Sequence, residues 1–310
     1  MKGNSLELIS NTGRELTSMD KIPILLDTDI GNDIDDALCL LYLLHQPMCE
    51  LVGITTVCGE PEVRAMLADA VCREVGREDI PIHSGAGTPI IVPQKKLKAP
   101  QGIALEGRRY RKDFPSNRAV DFLRETIRSR PGEITLLGIG PLTNIGLLFA
   151  LDPEIPSLLK GLVLMCGRFD EPKGEWNARV DPHATAIVYN ARITQHLSLG
   201  DDVTQKCRVS DEEARRTIKG LGFELINDML EVWLTRKDRV TYHDPLAASV
   251  IFQPDICTYE KGRVDVELKV DELLATTYWE PNAEDSYHTV AVDVDPKRFY
   301  DHYFSIVKKG

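Results

Sequence analysis

The chain has 310 residues, 43% of them hydrophobic and 27% charged, with 37 Lys and Arg against 48 Asp and Glu for a formal net charge of −11. That balance suits a globular chain with a sizeable buried core, and its sign disfavours binding to nucleic acid or to an anionic membrane surface. No apolar run approaches the roughly 20 residues of a membrane helix, and the polar stretch Met1 to Asp20 lacks the apolar centre of a signal peptide, so it reads as a flexible extension ahead of one domain over residues 21–310.

In chain order, Ile22-Pro23-Ile24-Leu25-Leu26 reads as a buried strand that empties into the acidic run Asp27 to Asp36. A helix is predicted over Asp35 to His45, a strand over Leu51 to Val57, a turn at Cys58 to Pro61, a helix over Glu62 to Val75, and a short strand over Ile80 to His83. This β-α-β-α-β order predicts an α/β fold with a mostly parallel central sheet and helices on both faces, open and Rossmann-like. From Thr88 to Pro115 four prolines and the basic cluster Arg108 to Lys112 predict a long surface loop, a candidate active-site lid.

Regular patterns resume with a helix over Arg118 to Arg130, a strand over Ile134 to Gly138, a helix over Leu142 to Leu151, and a buried strand over Gly161 to Gly167. Arg168 to Val180 reads as irregular; Asp181-Pro182 starts a helix by the Asp N-cap and Pro N1 pattern. A strand at Gln195 to Leu199 and helices near Ser210 to Lys219 and Phe223 to Arg236 follow. The alternation of Val264 to Val270 predicts a half-exposed antiparallel addition, before a last strand at Thr289 to Val294 and a closing helix at Pro296 to Val307. The seven cysteines are scattered without a CxxC spacing and read as reduced core residues of a cytoplasmic protein.

Chemistry collects at predicted strand ends, where open α/β sheets bind ligands. Asp27, Asp29, Asp33, Asp35 and Asp36 fall within ten residues. Side by side they would repel one another unless water or a hard divalent cation such as Ca²⁺ or Mg²⁺ offsets them. The plainer alternative is a solvated turn in which Asp33 or Asp35 caps a helix. Gly138 to Asn144, Gly174 to Asn177 and His243-Asp244-Pro245 sit at further strand or helix junctions. Singly, each also reads as a cap or a turn.

Six segments in order, Asp27-Thr28-Asp29 with Asp35-Asp36, Ile54 to Gly59, Gly140 to Asn144, Val163 to Gly167, Glu175-Trp176-Asn177 and His243-Asp244-Pro245, together resemble the inosine–uridine-type nucleoside hydrolases over about residues 22 to 308. The resemblance implies Ca²⁺-dependent hydrolysis of the N-glycosidic bond of a small-molecule ribonucleoside, in a homodimer or homotetramer. By that likeness Asp29 is both metal ligand and general base for a Ca²⁺-bound water, with Asp36, Asp244 and the main-chain carbonyl of Ile139 as further ligands. Asp35, Glu175 and Asn177 would bind ribose hydroxyls, Met165 would pack on the sugar, and His243 is the candidate proton donor to the leaving base. An oxocarbenium-like ribose suits such an acidic site.

The chain departs from the family pattern in several places. Ile30 stands where proline is usual, and two extra residues separate Gly31 from Asp35-Asp36, which makes Asp33 a further candidate ligand. Glu60 stands where asparagine is common and is a candidate for a ribose hydroxyl; no histidine lies between Thr88 and Phe114. Trp233, Tyr242, Arg236, Lys237 and Arg239 are candidates for contacting the base, against the plainer reading of a surface helix. No Gly-rich phosphate loop or basic phosphate clamp is evident at the strand ends. The competing readings are a DxD-type phosphatase with Asp27 or Asp29 as nucleophile, and a non-catalytic nucleoside- or ribose-binding homologue.

Overall fold

The computed structural model describes residues 21–93 and 97–308; the expected N-terminal extension, residues 1–20, lies outside them. The described residues form eleven strands: β1 (Ile22–Thr28), β2 (Cys49–Thr56), β3 (Ile82–Ser84), β4 (Thr135–Gly138), β5 (Gly161–Met165), β6 (His196–Leu199), β7 (Arg208–Ser210), β8 (Arg239–Thr241), β9 (Cys257–Val266), β10 (Thr277–Pro281) and β11 (His288–Val294). The helices are α1 (Asp35–His45), α2 (Pro61–Glu74), α3 (Ala119–Ser129), α4 (Thr143–Leu151), α5 (Ile155–Leu158), α6 (Trp176–Val180), α7 (Pro182–Asn190), α8 (Asp201–Thr204), α9 (Asp211–Lys219), α10 (Glu224–Leu234), α11 (His243–Phe252) and α12 (Pro296–Val307).

Nine strands form one sheet in the order β10-β9-β11-β6-β5-β4-β1-β2-β3, and β7 and β8 form a separate antiparallel pair. From β3 across to β11 every neighbouring pair is parallel, and β9 runs antiparallel between β11 and β10. The expected mostly parallel α/β sheet with a small antiparallel addition is therefore the fold. Among the described residues no helix is long and apolar enough to cross a membrane.

The central strands are buried on both faces, as parallel strands covered by helices must be. Their alternation divides the core in two. Ile24, Leu26, Leu137, Val163 and Leu199 pack on one side with α1, α2, α10, α11 and α12, whereas Leu25, Leu136, Leu162 and Leu164 pack on the other with α3, α4 and α7. Full burial of each such Leu or Ile contributes about 1.5–3 kcal/mol. Helix α1 has no amphipathic stripe because it is enclosed: Asp35 through Leu43 are all buried between the sheet and the neighbouring helices.

The chain order positions the site. After β1 the chain builds outward through β2 and β3, then returns to the other side of β1 and builds away through β4, β5 and β6. The carboxyl ends of β1 and β4 thus diverge at a topological switch point, the usual ligand crevice of an open α/β sheet.

Several expectations change. The stretch 88–115 is not a surface loop throughout: Pro100–Leu105 forms a 3-10 turn, Gln101 is fully buried, and its main-chain amide donates to Gly31 O at 3.0 Å. The predicted irregular stretch 168–180 contains α6. Strands β7, β8 and β10 and helices α5 and α8 were not anticipated, since three to five residues carry too little periodicity to register.

On the α7 side, His196 is buried with both ring nitrogens unpartnered, stacked on Tyr189 and edge-on to His288. Burial holds both imidazoles below their ordinary range, His288 at about 4. Their neutral forms contribute stability above the unfolded value near 6.5 that is lost as pH falls toward about 4. Thermal melting followed by circular dichroism should show the midpoint falling across that window, at about 1.4 kcal/mol per pH unit for one such group. The substitution His196→Phe should flatten the fall; an unchanged pH slope would remove His196 from this role.

Candidate active site

The acidic run is shaped by contacts made before any ligand is considered. Thr28, the last residue of β1, donates to Asp36 Oδ1 at 2.5 Å and accepts from the Ile30 amide at 3.1 Å, latching both ends of the loop. Gly31 sits at φ +118°, a conformation that glycine adopts readily, and an added Cβ would lie 2.7 Å from Leu67 Cδ1. Beneath the loop Arg64 is 1% exposed and donates to the main-chain oxygens of Cys58, Asp29 and Ile30. Gly140, after β4, allows close approach: a Cβ there would stand 2.9 Å from Asp29 N and 3.0 Å from Asp29 Oδ1.

Asp35 and Asp36 open α1 and Asp244 opens α11, all three buried, with the Asp244 amide 3.4 Å from Asp35 Oδ2. Oxygens of these three carboxylates lie within 4.8 Å of one another. Two helix N-termini therefore face the cluster with their positive ends. Helix α1 has Ile34 at its N-cap and no side-chain cap there; Asp33 accepts the Ile34 amide at 2.6 Å. Neither Asp35 nor Asp36 is consumed as a cap.

Burial is the main force on every acid here. It raises Asp33 to about 7 and holds Asp29, Asp35, Asp36 and Asp244 above the usual carboxylate range, with mutual repulsion adding to all but Asp29. Arg64 opposes the rise at Asp29 and Asp36, whereas at Asp35 and Asp244 the main additions to burial are the neighbouring carboxylates. Three close, buried, hard oxygen donors with little positive charge against them fit a divalent cation.

The other wall comes from β4, β5 and α6. Asn177 Nδ2 donates to Ile139 O at 3.0 Å and Met165 O at 2.9 Å, tying together the chain beyond β4 and the end of β5. Glu175 caps α6, accepting the amides of Asn177, Ala178 and Gly167, and burial raises its carboxyl to about 7 against those three donors. Across the cleft His243 Nδ1 lies 2.7 Å from Thr204 Oγ1 and 4.0 Å from Asp201 Oδ1. Burial lowers His243 to about 4, with Asp201 opposing, so the ring is neutral at pH 7. The acids of the loop, Ile139, Met165, Glu175, Asn177, Asp201, His243 and Asp244 border one cavity of about 420 Å³.

The sequence profile of the inosine-uridine preferring nucleoside hydrolases matches residues 24–301. The chain belongs to that family. Uridine nucleosidase 1 of Arabidopsis thaliana is 31% identical over 266 residues, 79% of this chain and 78% of the relative. The pyrimidine-specific ribonucleoside hydrolase RihA of Escherichia coli (strain SMS-3-5 / SECEC) is 28% identical over 302 residues, 90% and 96% of the two chains. Among solved structures, the plant nucleoside hydrolase PpNRh1 superposes with a TM-score of 0.79 at 23% identity, covering 93% of this chain and 99% of that one. The inosine-guanosine nucleoside hydrolase gives 0.80 at 21%, with 93% and 99% covered. Like its relatives, this nucleoside hydrolase is an enzyme of the class that cleaves N-glycosyl compounds.

Of the residues singled out in this family member's sequence, Asp29, Asp33, Asp35, Asp36, Ile139, Met165, Glu175, Asn177, His243 and Asp244 all line the cavity. Asp35, Asp36 and Asp244 form the closest carboxylate group, and Asp29 lines the same cavity. Glu60 does not line the cavity; its Oε2 accepts the Ala99 amide at 3.1 Å and anchors the 3-10 segment. Trp233, Arg236 and Lys237 border the cavity, whereas Tyr242 is core, ringed by Phe299, Tyr300 and Tyr303, and Arg239 pairs with Asp238. Arg64, Thr204 and Asp201 were not singled out in the sequence: Arg64 lies on an ordinary helical pattern, Asp201 and Thr204 in a helix of one turn, and nothing local marks them. Gly140→Ala tests the close approach: kcat/KM should fall roughly ten- to hundredfold from displacement of Asp29, with little change in melting temperature. Unchanged kcat/KM would show that the approach carries no function.

Proposed function

We propose that this chain hydrolyses the N-glycosidic bond of ribonucleosides to ribose and free base, in a Ca²⁺-dependent reaction. The observation that carries the reading is the convergence of Asp29, Asp35, Asp36 and Asp244 with Ile139, Met165, Asn177 and His243 on one cavity at the switch point of a family member's sheet. Asp36 and Asp244, with Asp29 and the Ile139 carbonyl, would hold the cation, whose many flexible oxygen contacts suit such a mixed set. When bound, it supplies acidification of a water and a positive charge against the carboxylates.

Asp29 takes a proton from the attacking water, a bond forms from that oxygen to C1′, and the C1′–N bond breaks with its electron pair leaving on the base. The surrounding carboxylates stabilise the cationic ribose that develops between those events. Asp35 accepts from ribose hydroxyls, Glu175 and Asn177 hold the sugar wall in register, and Met165 packs beneath the ring. Glu60 has no part in this set, and Asp33 borders it. His243 serves the leaving base. Its Nδ1 is engaged by the Thr204 hydroxyl, so Nε2, in the tautomer that carries its proton there, is the nitrogen that serves the base.

A ribonucleoside panel assayed for free ribose tests the reading. Turnover should vanish on chelation and return with Ca²⁺, the melting temperature should rise with Ca²⁺ in the wild type but not in Asp244→Asn, and Asp29→Asn should lose roughly 10²- to 10⁴-fold in kcat. Near-normal turnover of Asp29→Asn would refute the base assignment, and tight binding without turnover would favour the non-catalytic homologue. Replacing His243 by Ala should slow uridine far more than p-nitrophenyl riboside, whose leaving group needs no proton. Equal losses on the two would end the donor role.

A further inference from the structure

A second chamber of about 230 Å³ adjoins the acidic cavity and shares Asp29, Asn32, Trp176 and Arg236 with it. Its charge is reversed. Arg64, Lys98 and Arg236 face one carboxylate, that of Asp29, whereas the main cavity is bordered by Asp29, Asp33, Asp35, Asp36, Asp244, Glu175 and Asp201.

Two of the three cations are held in place with capacity to spare. Arg64 is buried and spends Nε and Nη1 on main-chain oxygens, while Nη2 has no hydrogen bond among the described residues. Arg236 donates to Asn32 O at 2.9 Å and lies 5.6 Å from the Trp233 ring centre. Among the described residues neither Lys98 nor Arg236 has a carboxylate within 4.0 Å. A guanidinium fork fixed by other contacts, facing a chamber with one carboxylate against three cations, is suited to a carboxylate or a phosphate. The desolvated charge of Arg64 strengthens that attraction.

We propose that this chamber receives an anionic group, phosphate or carboxylate, carried by the same ribosyl substrate whose sugar rests on the acidic floor; the proposal builds on the hydrolase reading above. The shared residues make the two spaces continuous, so one molecule can occupy both. The group is either a 5′-phosphate or a carboxylate on the base. Such a substrate meets acids at its cationic ribose and cations at its anionic end. The basic clamp is assembled here from α2, the chain just before the 3-10 segment and the chain just beyond α10.

Uridine, uridine 5′-monophosphate and 5-carboxyuridine are compared for kcat/KM, and their fragments (ribose, ribose 5-phosphate, uracil, 5-carboxyuracil) for calorimetric Kd, with the full chain in Ca²⁺. At low ionic strength one anionic analogue and its fragment should exceed the neutral parent by about tenfold or more, a gain that salt screens. The gaining analogue identifies the source of the charge. In the double variant Lys98→Gln, Arg236→Gln, both exposed positions, the ratio should collapse to about one, because the paired charges are gone. Uridine turnover with no gain for either anion, or a ratio that survives the double variant, overturns the chamber and leaves the hydrolase reading standing. Tighter ribose 5-phosphate or 5-carboxyuracil binding without any hydrolysis keeps the chamber and removes the hydrolase reading.

Discussion

Repulsion among buried carboxylates is the constraint to which the rest of the molecule answers. Asp35, Asp36 and Asp244 place oxygens within 4.8 Å of one another in a setting from which water is largely removed. Like charges so close and so dry raise one another's pKa, and an unpaired buried charge is costly. The fold meets this with positive potential from three directions: the N-termini of α1 and α11, and the guanidinium of Arg64 under the loop. The remaining deficit is what a divalent cation is suited to fill, so the same repulsion supplies the site's affinity for it.

The opposite wall works by hydrogen bonding. Asn177 holds the carbonyls of Ile139 and Met165 with one amide nitrogen, and Glu175 fixes the turn that presents Asn177 by accepting three main-chain amides. Residues whose side chains suggest direct sugar contact thus also act as supports, keeping two strand ends at a set separation. Asp27 extends the pattern outward. Its Oδ1 is bound by Thr55 and Asn144 from β2 and α4, so the buried carboxylate beside the site joins the strands on either side of β1.

Charge changes sign over a short distance at this cleft. The floor gathers acids from the chain after β1 and β6, the N-cap of α6 and the start of α11, and the side chamber gathers cations from α2, the chain just before the 3-10 segment and the chain after α10. Arg64 and Lys98 lie far apart in sequence, so a search for basic clusters passed over them, whereas Arg236 stood out with Lys237 and Arg239 as a candidate for the base. The other cluster that stood out, Arg108 to Lys112, turns to other work: Arg108 pairs with Asp228 and Arg111 stacks on Phe114.

By itself the sequence determined the strand–helix order, the parallel sheet and the list of residues around the acidic floor. Apolar runs and their spacing are local properties, and strand ends in an α/β sheet predict where ligands go. Glu60 shows the limit of that logic: it sits at the right strand end, but its carboxylate is drawn to the Ala99 amide of a segment nearly forty residues away. Only the tertiary structure decided which carboxylates share a centre, putting Asp35 in the close group and Asp29 beside it. It also decided that His243 is neutral behind Thr204 and that Arg64 lies under the loop. These facts depend on desolvation and on distances between elements far apart in the chain, and neither quantity has a local signature in sequence.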